Sequence, residues 1–145
     1  MKIQFYILNT NDPEKITHFT CQLVEKVFNN NHRIQLQLSS DPQVKQYDDA
    51  LWSYKISESF LAHLPDSEIN SFEERVPIIL SSNKGFVISQ PDILLSLDTT
   101  YLPDAQFKQS LFIVDSNNYS VTQARELYKI FASKNYDLVT HKLTI

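Results

Sequence analysis

The chain has 145 residues, with Lys+Arg 13 against Asp+Glu 17 and a net charge of −4. That length suits one domain burying about 70% of its unfolded surface, and the acid excess argues against a protein that mainly grips a phosphate backbone. Gly85 is the only glycine where roughly ten are expected, which excludes the dinucleotide fingerprint, the P-loop and the GxSxG elbow, since each needs at least two.

Ile3 to Leu8 is a compact apolar run that predicts a buried first strand. Asp12 and Pro13 then form a helix start, an N-cap followed by a proline whose missing N–H does no harm. Ile16, Phe19 or Thr20, Leu23 and Val27 recur at helical spacing up to Phe28, and Asn29-Asn30-Asn31 closes the helix in place of a glycine. Arg33 to Leu38 alternates apolar and polar residues, which predicts a strand with one wetter face or an edge position. Asp41-Pro42 repeats the helix start, and Val44, Tyr47 or Asp48, and Leu51 mark the inner face of a second helix. Strand, helix, strand, helix from the first residue onward indicates an α/β domain.

The pattern fails after Trp52. Residues 53–75 hold Pro65, scattered aromatics and the acids Glu58, Asp66, Glu68, Glu73 and Glu74, and predict one long connection. Short strands are predicted at Val76–Leu80, Phe86–Ile88, Ile93–Leu97 and Leu111–Val114, with a turn from Ser81 to Gly85 and a loop at Tyr101-Leu102-Pro103. A third helix fits Ser120 to Lys134, ended by Asn135, and Tyr136 to Leu143 predicts a last strand. No apolar run approaches the ~20 residues of a membrane span, and the N-terminus turns polar too soon for a signal peptide. The expectation is a soluble, cytoplasmic domain.

Catalytic signals are absent. His18, His32, His63 and His141 form no metal-ligand spacing, and Cys21 has no second thiol. A lone thiol on an amphipathic helix reads as a small core residue, and His141 reads as a cross-strand partner or a surface residue. A phospho-acceptor receiver site needs an acidic cluster after the first strand, and only Asp12 stands there. What remains is interaction chemistry. Trp52, Tyr54 and Phe60 stand outside any periodic stripe, as contact residues do. Arg125, Tyr128 and Lys129 share one helix face. Residues 121–145 carry four bases (Arg125, Lys129, Lys134, Lys142) against Glu126 and Asp137, so this end is locally positive on an acidic chain.

Several blocks then stand together in order. They are Phe5-Tyr6-Ile7-Leu8, Asp49-Ala50-Leu51-Trp52 with Glu58-Ser59-Phe60 and His63, Val76-Pro77-Ile78, Asp92-Ile93-Leu94-Leu95-Ser96-Leu97, and Ala124-Arg125-Glu126-Leu127-Tyr128-Lys129. In these the chain resembles the chi subunit of bacterial DNA polymerase III, nearly end to end. The resemblance implies an α/β fold with a single open, twisted, mostly parallel sheet and flanking helices. Such a fold is Rossmann-like but lacks a phosphate-binding loop, and would span residues 1–145 as one domain.

The resemblance further implies a non-catalytic adaptor with no cofactor and no metal. Such an adaptor links the psi subunit of the clamp loader to single-stranded-DNA-binding protein, and so meets DNA only indirectly. Trp52 and Phe60 match the family's apolar contacts to psi. Val114, Arg125, Tyr128 and Lys129 match its pocket for the acidic C-terminal tail of single-stranded-DNA-binding protein. That tail ends in acidic residues, an apolar stretch and a terminal Phe carboxylate. A guanidinium beside an aromatic-lined hollow suits it. Val121 stands near where some members carry a further base. The rival expectation is a small enzyme on a nucleotide-binding-like α/β fold.

Overall fold

The computed structural model describes residues 1–30, 32–54, 63–68, 76–88, 90–103 and 106–145. The strands are β1 (Lys2–Leu8), β2 (Ile34–Gln37), β3 (His63–Pro65), β4 (Ile78–Ser81), β5 (Ile93–Ser96), β6 (Gln109–Val114) and β7 (Asp137–Leu143). The helices are α1 (Pro13–Asn29), α2 (Asp41–Ser53) and α3 (Asn118–Ser133), with one 3-10 turn at Asp66–Glu68. The seven strands form one open sheet in the order β3-β4-β2-β5-β6-β1-β7. Every pairing is parallel.

Helix boundaries follow the short polar residues. The Asp12 carboxylate accepts from the Glu14 amide at 3.1 Å and caps α1, with Pro13 in the first turn. At α2 the cap is Ser40, which accepts from the Gln43 amide at 3.3 Å, and Asp41 moves into the first turn. Asn117 caps α3 in the same way, and Asn135 just beyond its end takes φ 57°. A glycine-poor chain thus uses Asn where the left-handed conformation is needed. The expected counterpart at α1, Asn31, lies outside the described residues.

Connections run in two directions across the sheet. From β1 the chain moves through α1 to β2 and through α2 towards β3, whereas α3 carries it the opposite way from β6 to β7. Crossovers of one hand then place α3 on the other face from α1 and α2. The buried residues agree. Leu8, Leu36, Leu80 and Leu95 face Val24 and Leu51, while Ile3, Phe5, Phe112 and Val114 face Ala124, Leu127 and Phe131.

Among the described residues α3 is the one helix on the second face, and the rest of that face needs another cover. Ile88, Tyr101 and Phe107, all in loops, supply it. This corrects two expectations. Phe86–Ile88 is not a strand. Its backbone is held by the Gln35 side chain, whose Nε2 donates to the Phe86 carbonyl at 3.0 Å while the Ile88 amide donates to Oε1 at 3.0 Å. Nor is β2 a wet or edge strand: it lies between β4 and β5, and Gln35 and Gln37 are both fully buried. Alternating polarity there reflects a polar side chain fastening a loop, not solvent. A third difference is β3, which falls inside the stretch expected to be one connection. It is a three-residue edge strand closed by Pro65, a place where a missing donor is tolerated.

Candidate protein-interaction sites

The flank of α3 carries the first candidate. Ala124, Leu127 and Phe131 point into the sheet, which leaves Arg125 and Tyr128, one turn apart, on the exposed side. Tyr128 is 44% exposed, yet its ring centroid lies 5.9 Å from that of Phe5, which in turn stacks on Phe112 at 5.4 Å. The phenol is therefore propped against the core and presents one face outward. Beside it opens a hollow of about 280 Å³, walled by Arg125 and Tyr128 with Val121 and Ala124, and floored by strand residues. Its floor is set by register. Val114 of β6, Ile7 of β1 and Lys142 of β7 are neighbours across three strands, and Phe5 and Thr140 form the next row on the same face.

Two cations and no carboxylate line this hollow. Neither Arg125 nor Lys142 is drawn into an ion pair with any described residue. Lys129 stands apart from it, with its ammonium 3.6 Å from Glu126 and its side chain 74% exposed. A surface pair of that kind contributes at most about 1 kcal/mol. The structure thus brings Val114, Arg125 and Tyr128 to one hollow and leaves Lys129 on the outer helix face. Sequence reasoning missed Phe5, Ile7, Thr140 and Lys142. Their parity on the two strands was readable, but not which strands lie side by side.

The second candidate surrounds Trp52. Leu51 takes the core position at the end of α2 and Trp52 is left 51% exposed. Its ring does not hang free. The centroid lies 4.5 Å from the ring of His63, and His63 Nε2 sits 3.1 Å from the Asp48 carbonyl and 3.1 Å from its carboxylate. Asp48 is accordingly engaged with β3. Phe60, together with Glu58 and Ser59, lies outside the described residues.

The crevice at the C-terminal ends of the strands is where an open α/β sheet binds nucleotides. Here a hollow of about 270 Å³ lies between the starts of α1 and α2, bordered by Asn11, Pro13, Gln43, Asp115 and Ser120. Its chemistry opposes a phosphate. The Asp12 carboxylate caps the Glu14 amide at the start of α1, and Asp115 stands on the wall. A phosphate there would meet carboxylates with no glycine-lined cradle. Among the described residues no group of three or more His, Cys, Asp or Glu is placed to hold a metal ion. No described helix is long and apolar enough to cross a membrane.

His141 and Cys21 take part in the packing of the fold. His141 Nε2 lies 2.8 Å from Gln4 Oε1 and its ring stacks on Tyr6 at 4.8 Å, the first of the two roles its sequence position allows. Cys21 is 2% exposed, and burial pushes its thiol up from an ordinary value near 9 to about 11. An unfolded thiol ionises near the lower value while this one keeps its proton, so stability falls as pH rises from 9 to 11. At pH 8 iodoacetamide should leave Cys21 of the folded protein unmodified while labelling the denatured chain. Equal rates for the two states would place the thiol at the surface.

The profile of the family described as "DNA polymerase III chi subunit, HolC" matches residues 1–139. DNA polymerase III subunit chi of Haemophilus influenzae is 25% identical over 142 residues, covering 97% of this chain and 96% of its own. DNA polymerase III subunit chi of Pseudomonas aeruginosa is 23% identical over 145 residues, covering 98% of this chain and 96% of its own. A match running from the first strand into the last, on an open all-parallel sheet of the Rossmann-like kind, means that the chain belongs to the DNA polymerase III chi-subunit family.

Proposed function

We propose that this chain is a non-catalytic adaptor in DNA replication. It holds the acidic C-terminal tail of single-stranded-DNA-binding protein in the hollow beside α3 and docks on the psi subunit of the clamp loader through the Trp52 surface. The coarser part, an accessory role with DNA polymerase III, follows from the family. For the finer part, one observation carries most weight: the hollow combines an apolar floor, a propped aromatic wall and two cations without a single acid. That composition fits a ligand that is apolar and anionic within one residue, which a C-terminal Phe is. A guanidinium presents two parallel N–H donors to a carboxylate, and Arg125 stands at the rim for that purpose.

Charge supports the same reading. A chain of net charge −4 repels a general polyanion, so a local positive hollow selects a short acidic segment rather than DNA. Direct single-strand binding needs a continuous basic groove with stacking aromatics, and the second candidate surface offers one exposed Trp beside an acid. DNA is then reached through the tail-bearing partner.

The test is a pair of peptides with the tail's sequence, one ending in a free carboxylate and one in an amide. The free acid should bind at least about tenfold more tightly, since the amide removes a charge-assisted pair. Equal affinities would mean that the terminus is not recognised, and the reading would be lost.

A further inference from the structure

We infer that Lys142 is a second anchor of the tail hollow, one that pairs with an acidic side chain upstream of the terminal carboxylate. The inference rests on the tail-binding reading and adds the residue that makes the site read acidity as well as a chain end. The α3 face alone offers Lys129 as the second cation, one position beyond Tyr128. Its ammonium is instead beside Glu126, and it does not line the hollow. Lys142 comes from the opposite side, the edge strand β7, and does line it.

Register fixes where Lys142 stands. It pairs with Ile7, and Ile7 pairs with Val114, so the three residues form one row across β7, β1 and β6. Two strand spacings separate the ends of that row, about 10 Å at the backbone. An extended peptide advances roughly 3.3 Å per residue, so the row spans about three of its residues. A terminal carboxylate held at Arg125 therefore leaves residues further back within reach of the edge strand. Lysine suits this second role. An ammonium on a four-carbon stem is a mobile point charge that accepts a carboxylate from many directions, whereas the planar fork of Arg125 demands one orientation. Thr140, two residues earlier on the same face, adds a hydroxyl beside it.

The consequence is a division of labour that one pair of peptides separates. Both end in a free carboxylate and the same apolar residues. One keeps its upstream acids, and the other carries Asn and Gln in their place. Lys142→Ala should weaken the acidic peptide about three- to tenfold and leave the neutralised peptide unchanged, whereas Arg125→Ala should weaken both. Lys142→Arg should restore most of the loss. Lys134→Ala serves as the control, since it removes the same charge from the exposed end of α3, outside the hollow.

Three results would overturn the assignment. An equal loss for both peptides would put Lys142 on the terminal carboxylate. A loss matched by Lys134→Ala would reduce the effect to net charge. No change with either peptide would remove Lys142 from the site. If the wild-type protein binds neither peptide, the tail-binding reading itself fails, and this outcome is distinct from the other three. Lys142 is exposed on the edge strand, and unchanged thermal unfolding of each variant ensures that binding alone is compared.

Discussion

Arg125→Ala is expected to weaken binding of the acidic tail peptide by roughly 2–4 kcal/mol, the range for truncating one partner of a hydrogen-bonded charge pair. In affinity this is roughly 30- to 1,000-fold. The size follows from what remains after the change: a carboxylate facing the apolar floor of Ile7 and Val114 with no fork to receive it. Arg125→Lys should recover only part of the loss, because an ammonium cannot present two parallel donors. The wild-type affinity should fall as salt rises, and the Arg125→Ala affinity should fall less steeply, since fewer charges are being screened. Thermal stability should barely move. Arg125 is exposed and draws no described residue into an ion pair. Titration of a labelled peptide against both proteins at two salt concentrations measures all of this. Equal affinity for the two proteins would place the tail elsewhere on the surface.

Trp52→Ala is the second large effect, and it concerns the other partner. A half-exposed Trp at a protein interface typically contributes about 2 kcal/mol or more to binding, so association with the psi subunit should fall about 30-fold or further. The fold should survive. Half of the ring is already exposed, and its contact with the His63 ring contributes about 1 kcal/mol. Trp52→Phe should keep the stacking and much of the binding. The double variant Trp52→Ala, Phe60→Ala should abolish association altogether. Calorimetry of the variants beside co-purification with psi separates the outcomes. Unfolding of Trp52→Ala would make the residue part of the core, and unaltered co-purification would move the psi surface away from α2.

How much of this was legible in the sequence differs between local and long-range features. The α1 and α2 starts could be read from Asp-Pro pairs, and α3 from the helical spacing of Val121, Ala124, Leu127 or Tyr128, and Phe131, because capping and helical period are local chemistry. Alternation of strands and helices gave the α/β class. Three features were not legible. The strand β3 has only three residues and no alternation to announce it. Phe86–Ile88 looks like a strand because covering a sheet face and pairing within a sheet ask for the same apolar residues. Gln35 and Gln37 look solvated because polarity alone does not tell water from a buried partner, here loop backbone for Gln35 and the Gln35 side chain for Gln37.

The same division runs through the tail hollow. Arg125 and Tyr128 are one helical turn apart, so their shared face is written in their spacing. Ile7, Thr140 and Lys142 join them only because β1 lies between β6 and β7, a neighbourhood that sequence order conceals. At the Trp52 surface the exposed ring was foreseeable from its place outside the apolar stripe. The His63 ring beneath it was not, since it arrives on the unannounced strand β3.

Mapping of backbone amide shifts during titration with the free-acid tail peptide would locate the ligand without presuming any contact residue. Binding in the hollow beside α3 predicts that the largest shifts fall on Ile7, Val114, Arg125, Tyr128 and Lys142, and that they shrink with the amidated peptide. Shifts concentrated instead on Asn11, Thr17, Gln43 and Tyr47, around the crevice at the strand ends, would contradict this account and return the site to the position that nucleotide-binding folds use.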